Sequence, residues 1–138
     1  MEQTLFMIKP DAVRAHKIGA ILTMVESAGF TIGAMRMVRL TPADARRFYA
    51  VHEGKPFLAD LVEFMASGPA VACLLHRENA ILALRDLIGA TDPREAKPGT
   101  IRALHAESKG LNAVHASDSP ESARTEIQFF FSEAAGGR

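Results

Sequence analysis

Two short runs of apolar residues, at positions 4–8 and 70–75, constrain the fold of this chain most strongly. Residues 9–11 (KPD) close the first run, and residues 67–69 (SGP) come just before the second. Proline and glycine at these points interrupt regular structure. An apolar run this short, bounded in this way, is typical of a buried strand. We therefore predict two buried strands.

Two further strands are predicted from weaker patterns. Residues 30–40 alternate apolar and polar side chains over much of their length, as a half-buried strand does. Residues 112–115 form a shorter apolar stretch. Helices are predicted between the strands from apolar residues at helical spacing and from cap residues followed by proline, at 18–25, from Thr41-Pro42 onwards, at 57–65, at 78–88 and from Ser119-Pro120 onwards.

This order of elements predicts an α/β (α+β) fold. A ferredoxin-like βαββαβ arrangement accounts for it most simply, with a four-stranded antiparallel sheet and the helices packed on one face. The chain has 138 residues, of which 48% are hydrophobic, so we expect one domain spanning residues 1–138 with a real core. The small residues at 134–138 are expected to be frayed.

The segment at 89–111 has no convincing periodicity. More than twenty residues without regular structure are uncommon inside a compact domain, and loops of that length often carry function. This segment is therefore a candidate part of a functional site.

The charge balance excludes one class of partner. The chain carries 16 basic and 16 acidic residues, so its net charge is zero. Long-range attraction to nucleic acid or to an anionic membrane is therefore not expected, and we predict no specific nucleic-acid binding. Any anion site must be made by a few well-placed cations.

The single cysteine and the N-terminal residues indicate the compartment. Cys73 has no intramolecular partner, which excludes the disulfide framework of a small secreted protein, and a buried inert thiol is favoured over a reactive one. Charged residues among the first eleven positions argue against a signal peptide, and no apolar run reaches the ~18 residues of a membrane span. We predict a cytoplasmic protein without membrane contact.

His115 is the sharpest candidate for chemistry. It ends a short apolar run just before a predicted helix start at Ser119. A helix N-terminus favours an anion nearby, and Glu126, two turns along that helix, could orient the imidazole. Ser117 could donate or accept a hydrogen bond beside it. From the residues alone, a structural hydrogen-bonding histidine and a nucleophile both stay open.

Several cations and one aromatic residue could complete an anion or nucleotide site. Lys9 ends a buried strand, Arg85 lies in a last helical turn, and Arg102 lies in the long segment. Each alone is more typical of a solvated surface charge. Phe57 is either core or an exposed platform on which a base stacks. The chain has no Walker A, GxGxxG or zinc-ligand spacing, so side chains would have to hold a phosphate.

Five segments together resemble the nucleoside diphosphate kinase family, in that family's order and at its spacing. They are MIKPD at 7–11, SGP at 67–69, GATDP at 89–93, KPGTIR at 97–102 and NAVHASDS at 112–119. The similarity runs from about residue 4 to residue 131. The last two segments together are highly specific, whereas MIKPD alone would not be.

The resemblance implies an enzyme that moves the γ-phosphoryl of a nucleoside triphosphate, typically ATP, to a nucleoside diphosphate. It implies a ping-pong mechanism through a phosphohistidine on His115, whose other ring nitrogen bonds to Glu126. The catalytic residues that it implies are His115, Glu126, Lys9, Tyr49 and Ser117. The nucleotide-binding residues that it implies are Lys9, Phe57, Arg85, Thr91, Arg102 and Asn112, with Phe57 stacking on the base.

The resemblance also implies Mg²⁺ that arrives with the nucleotide phosphates and needs no protein ligand. It implies a homo-oligomer, with dimers assembled into a tetramer or a hexamer. The chain departs from the family pattern at Ala12 and Ala116, where glycine is usual, and at Ala103-Leu104, where Gly-Asp is usual. These departures bear on loop geometry and turnover rate, and none removes a catalytic group.

Two other functions are compatible with the same fold. A regulatory module would bind a nucleotide without turnover, and would need the cations and Phe57 but neither His115 nor Glu126. An assembly protein with a vestigial site would have lost a catalytic group. The enzyme is preferred because every implied group is present.

Overall fold

A computed structural model describes residues 1–135 of the chain. Four strands form one sheet in the order β2-β3-β1-β4, and each neighbouring pair is antiparallel. The strands are β1 (Glu2–Ile8), β2 (Thr31–Val38), β3 (Ala70–Arg77) and β4 (Val114–Ala116). The predicted strands and the antiparallel βαββαβ sheet are confirmed.

Seven α-helices and one 3₁₀ turn connect and cover the strands within the described residues. They are α1 (Pro10–Arg14), α2 (Ile18–Ser27), α3 (Pro42–Phe48), the 3₁₀ turn Ala50–His52, α4 (Leu58–Met65), α5 (Ala80–Ile88), α6 (Ile101–His105) and α7 (Pro120–Ala135). Residues 136–138 lie outside the described residues, and so does most of the predicted frayed tail. Among residues 1–135, none of these helices combines the length and the apolar character that crossing a membrane requires.

The caps read from the sequence start the helices as predicted. The Thr41 hydroxyl accepts from the backbone N–H of Asp44 at 3.0 Å, and the Thr41 N–H donates back to the Asp44 carboxylate at 3.1 Å. This reciprocal capping satisfies two N–H groups that the helix itself cannot pair. The Ser119 hydroxyl accepts from the N–H of Ser122 at 3.0 Å in the same way at the start of α7. The start of α7 matters because His115 lies just before it.

The prediction that the helices cover one face of the sheet is wrong. Leu5 and Met7 of β1 point into a core shared with α3, α4 and α7, whereas Phe6 and Ile8 point into a second core shared with α2 and α5. All four side chains are fully buried. A strand that is apolar at every position must be covered on both faces, because its side chains alternate between them.

Two short helices were not predicted. α1 and α6 have five residues each, which is too short for a helical repeat to be visible in the sequence. α6 lies inside the segment predicted to be a long loop, and it begins at Thr100, whose hydroxyl accepts from the N–H of Ala103. The segment is therefore partly regular, and Arg102 lies on a helix.

The lone cysteine is buried and unpaired. Burial raises the pKa of the Cys73 thiol to about 12. The predicted burial of Cys73 is confirmed, and its lack of reactivity stays a prediction, because a neutral buried thiol is a poor nucleophile.

Candidate active site

One cleft of about 1330 Å³ gathers the residues that the sequence singled out. It lies where the β1–α1 turn and β4 meet the segment from α3 to α4, and the loops around α6 form its other wall. The predicted residues that line it are Lys9, Tyr49, Phe57, Arg85, Thr91, Arg102, Asn112, His115 and Glu126. Ser117 is fully buried and lies beneath the cleft wall.

The imidazole of His115 is held in one orientation. His115 lies on β4 opposite Met7 of β1, and its Nε2 is 2.8 Å from Oε1 of Glu126 on α7. A carboxylate oxygen accepts, so this contact favours the tautomer with the hydrogen on Nε2 and the lone pair on Nδ1. The rings of Phe48 and Tyr49 meet the imidazole edge-on, with centroids 5.3 Å and 6.2 Å away. The aromatic contacts hold the ring in place, and the contact with Glu126 selects its tautomer.

Ser117 orients the carboxylate that orients the histidine. Its hydroxyl donates to the same Oε1 of Glu126 at 2.8 Å and accepts from the backbone N–H of Leu5 at 3.3 Å. The Ser117 N–H donates to the Leu5 carbonyl, which continues the pairing of β4 with β1. Ser117 therefore ties Glu126 to the sheet without itself facing the cleft.

Lys9 is a buried cation at the floor of the cleft. Its side chain extends from the residue between β1 and α1, and its ammonium donates to Oδ1 of Asn112 at 2.9 Å. Only 7% of Lys9 is exposed. Burial, with the nearby Arg102 charge, lowers the Lys9 pKa to about 8, against an opposing effect of Asp11. An ammonium with spare N–H groups in such a place would gain strongly from a bound anion.

Arg102 is also buried, with 7% of the residue exposed. Its guanidinium donates to three backbone carbonyls, those of Asn112, Gly89 and Val114, at 3.2, 3.1 and 2.8 Å. Burial and the Arg85 charge lower its pKa to about 10. A guanidinium has five N–H groups, so two of them remain to donate to a ligand. Arg102 thus fastens the loop after α5 to the entry of β4.

The expectation of solvated surface charges is therefore wrong for two of the three candidate cations. Lys9 and Arg102 are buried, whereas Arg85 on α5 is exposed. Within the described part of the chain, Arg85 makes one hydrogen bond, from its guanidinium to the Ala116 carbonyl at 3.3 Å. Its remaining donors are available to a ligand in the cleft.

Phe57 and Thr91 lie at the outer part of the cleft. Phe57 immediately precedes α4 and is 47% exposed, so the alternative that it belongs to the core is wrong. The Lys55 ammonium lies 5.9 Å from the centre of its ring. Thr91 is exposed in the loop that follows α5. Phe57 offers a flat apolar surface of the kind on which a base stacks.

His52 is a cleft residue that the sequence reasoning missed. It ends the 3₁₀ turn and stacks on Tyr49, with ring centroids 6.1 Å apart and planes 20° apart. Its Nδ1 and the Tyr49 hydroxyl are both buried without a hydrogen-bond partner in the described chain. Burial lowers the His52 pKa, helped by Lys55 and His115, and burial with Glu126 raises the Tyr49 pKa. The sign of this pair in the sequence is that Tyr49 and His52 are three residues apart, since side chains at i and i+3 lie above one another in a 3₁₀ turn.

Sequence comparison gives the same family over nearly the whole chain. The family model described as nucleoside diphosphate kinase matches residues 2–135. A curated nucleoside diphosphate kinase of Campylobacter jejuni is 58% identical over 131 residues, which cover 95% of this chain and 96% of that protein. One of Chloroherpeton thalassium is 56% identical over 132 residues, which cover 96% and 94%.

Solved structures show the same likeness. The nucleoside diphosphate kinase of Aquifex aeolicus matches with a TM-score of 0.94 and 50% identity, covering 97% of each chain. A halophilic nucleoside diphosphate kinase of Halobacterium salinarum, solved in complex with CDP, matches with a TM-score of 0.92 and 38% identity, covering 97% of this chain and 90% of that one. On the family model, the curated relatives and the fold, this chain is an enzyme that belongs to the nucleoside diphosphate kinase family.

Proposed function

We propose that this enzyme transfers the γ-phosphoryl of a nucleoside triphosphate, typically ATP, to a nucleoside diphosphate through a phosphohistidine on His115. The observation that carries the proposal is the contact between Nε2 of His115 and Glu126. This contact leaves Nδ1 as the nucleophilic nitrogen, in a cleft that also holds Lys9, Arg85 and Arg102. An oriented nucleophile among cations is what phosphoryl transfer to a side chain requires.

The nucleotide is proposed to lie along the cleft with its base outward. Phe57 would stack on the base, and the phosphates would point inward to His115. Lys9, Arg85, Thr91, Arg102 and Asn112 would hold the phosphates and the ribose. The Halobacterium relative was solved in complex with CDP, which supports a nucleotide as the ligand.

Each half-reaction is a single displacement at phosphorus. In the first, the Nδ1 lone pair forms a P–N bond as the bond from phosphorus to the β–γ bridging oxygen breaks, and the nucleoside diphosphate leaves with that electron pair. In the second, a terminal oxygen of another nucleoside diphosphate attacks and Nδ1 leaves with its lone pair restored. The cations stabilise the charge that develops on the phosphoryl oxygens.

Glu126 and Ser117 have orienting roles in this proposal. When Nδ1 bonds to phosphorus, the ring becomes more positive, and the Glu126 carboxylate stabilises that charge through the Nε2 hydrogen. Ser117 keeps the carboxylate in place. Tyr49, whose raised pKa keeps its hydroxyl neutral, can offer a hydrogen bond to the transferring group from the same wall.

Magnesium is proposed to enter as part of the substrate. Among the side chains that the structure describes, those of residues 1–132, no group of three or more acidic, histidine or cysteine residues could hold a metal ion. Oε1 of Glu126 already accepts from His115 and Ser117. Mg²⁺ is commonly held by substrate phosphates and water, so this donor set fits a metal that the nucleotide carries. Bound there, it would neutralise phosphate charge.

We further propose a homo-oligomer in the cytoplasm, with dimers assembled into a tetramer or a hexamer. β2 is an edge strand, and its Met35 and Met37 are 52% and 60% exposed. Edge strands with exposed apolar side chains tend to pair with another chain. Light scattering of Met35→Lys with Met37→Lys should report smaller particles than the wild type; an unchanged mass would remove β2 as the contact.

The proposed mechanism is tested by incubating the folded enzyme with γ-labelled ATP and Mg²⁺ but no acceptor. We expect one label per chain, which a nucleoside diphosphate removes. His115→Ala should carry no label, and His105→Gln, which alters a histidine outside the cleft, should be labelled normally. A folded wild type that binds ATP without label would favour a regulatory module. Label on Ser117 or Ser119 that persists in His115→Ala would also contradict the mechanism.

A further inference from the structure

The chain makes a strained turn just before the strand that carries His115. Ala113 has a φ of +72°, and the N–H of Val114 donates to the carbonyl of Asn112 at 2.8 Å. A hydrogen bond across one residue with positive φ defines the rarer and more strained form of γ-turn. At this φ the Cβ atom of alanine makes the conformation unfavourable, and glycine has no Cβ atom. Something else in the protein must hold Ala113 in this conformation.

Asp11 and Lys9 hold it from the other end of the chain. Oδ2 of Asp11 accepts from the N–H of Ala113 at 3.0 Å, across 102 residues. The backbone N–H of Lys9 donates to the carbonyl of Ala113 at 2.8 Å. Both polar groups of Ala113, which is fully buried, are therefore satisfied by the β1–α1 turn.

The turn sets the direction of two cleft side chains. Asn112 precedes it and accepts from the Lys9 ammonium, and His115 follows it by two residues. If Ala113 relaxed to negative φ, the peptide on each side would rotate. The amide of Asn112 would then leave Lys9, and β4 would enter the sheet along a different path. The geometry of the proposed nucleophile thus depends on the Ala113 anchor.

We propose that Asp11 is a positioning residue for phosphoryl transfer, because its carboxylate holds the strained turn that aims Asn112 and His115 into the cleft. The inference rests on the proposed function. Asp11 touches no reacting atom, and a simpler role would be to stabilise α1 as an acidic residue in its first turn. The two roles differ in what Ala113 should do when Asp11 is changed.

The charge of Asp11 has a second effect that a neutral acceptor would lack. Oδ1 is buried without a hydrogen-bond partner in the described chain, and the carboxylate raises the pKa of the neighbouring Lys9 against the effect of burial. Asp11→Asn keeps an oxygen for Ala113 but removes this charge. Asp11→Ala removes both. The pair of variants separates the anchor from the charge.

The test is the rate of phosphoenzyme formation from ATP in a single turnover, with folding followed by circular dichroism. At pH 7 we expect Asp11→Ala to be slower by on the order of 10²-fold, the cost of misplacing a reacting group. Asp11→Asn should stay near the wild-type rate at pH 7. As the pH is raised, it should lose activity at a lower pH than the wild type does, because the Asp11 charge no longer raises the Lys9 pKa. Adding Ala113→Gly to Asp11→Ala should restore most of the rate, because glycine adopts positive φ freely.

Asp44→Ala is the matched control, since it removes a first-turn acid from α3 outside the cleft, and its rate should be unchanged. A wild-type rate in Asp11→Ala would overturn the inference. So would a folded double variant that stays as slow as Asp11→Ala. If Asp11→Ala alone does not fold, a folded double variant that is far slower than the wild type at pH 7 would overturn it as well. A wild type without phosphoenzyme would instead overturn the proposed function itself.

Discussion

Raising the pH from 7 to 9 should lower kcat/KM about tenfold through the loss of one proton from Lys9. Burial lowers the Lys9 pKa from 10.5 to about 8. A group with that pKa is about nine-tenths protonated at pH 7 and about one-tenth protonated at pH 9. The neutral amine cannot pair with a phosphate, and kcat/KM reports the protonation of the free enzyme.

Folding stability should move in the opposite direction over the same range. Because the folded-state pKa lies below the unfolded value, the buried charge costs stability below about pH 8, and that cost is relieved as the pH rises from about 8 towards 10.5. Lys9 therefore adds stability with rising pH while activity falls. A loss of activity from alkaline unfolding would show the reverse relation.

The assay is the pH dependence of kcat/KM for wild type, Lys9→Arg and Lys17→Arg, with thermal unfolding recorded at each pH. Lys9→Arg should be less active but should show no fall between pH 7 and 9, because arginine keeps its charge. Lys17, whose amine contacts the His105 carbonyl outside the cleft, is the control and should follow the wild type. A wild-type profile that is flat to pH 9, or an equal fall in Lys9→Arg, would refute the reasoning.

Three further changes test the rest of the site. Phe57→Ala should weaken purine and pyrimidine nucleotides alike, by roughly 1–3 kcal/mol in calorimetry, and a loss confined to one base would contradict simple stacking. Arg102→Ala should lower the rate on the order of 10²–10³-fold in steady-state assays. It should also lower the melting temperature, since three backbone carbonyls lose their donor. Wild-type turnover in this variant would show that the cation serves only the loop. Glu126→Gln should still form the phosphoenzyme, but more slowly in rapid-quench experiments, and an unchanged rate would remove the orienting role.

The fold was predictable where the signal is local. Cap residues such as Thr41 and Ser119 act on the next few residues, so their helices could be placed from the sequence. The covering of both faces of the sheet also follows from the uninterrupted apolar runs, and the one-face prediction overlooked it. α1 and α6 could not be found in this way, because five residues do not complete two helical turns.

The lining of the cleft was predictable as a set of residues but not as a set of contacts. The resemblance named the residues that line the cleft, and it did so from segments far apart in the sequence. It could not show that Arg102 is tied to three carbonyls, or that Asp11 meets Ala113 across 102 residues. Such contacts arise only when β1 and β4 pair, so no local pattern records them.

The central claim is that Nδ1 of His115 receives the phosphoryl group, and NMR of the phosphoenzyme tests it most directly. With ¹⁵N-labelled histidine, coupling to ³¹P identifies both the residue and the ring nitrogen, provided that the sample is kept out of acid. The contact of Nε2 with Glu126 predicts coupling to Nδ1 of His115. Coupling to Nε2, or a phosphoryl group on an oxygen atom, would contradict the account.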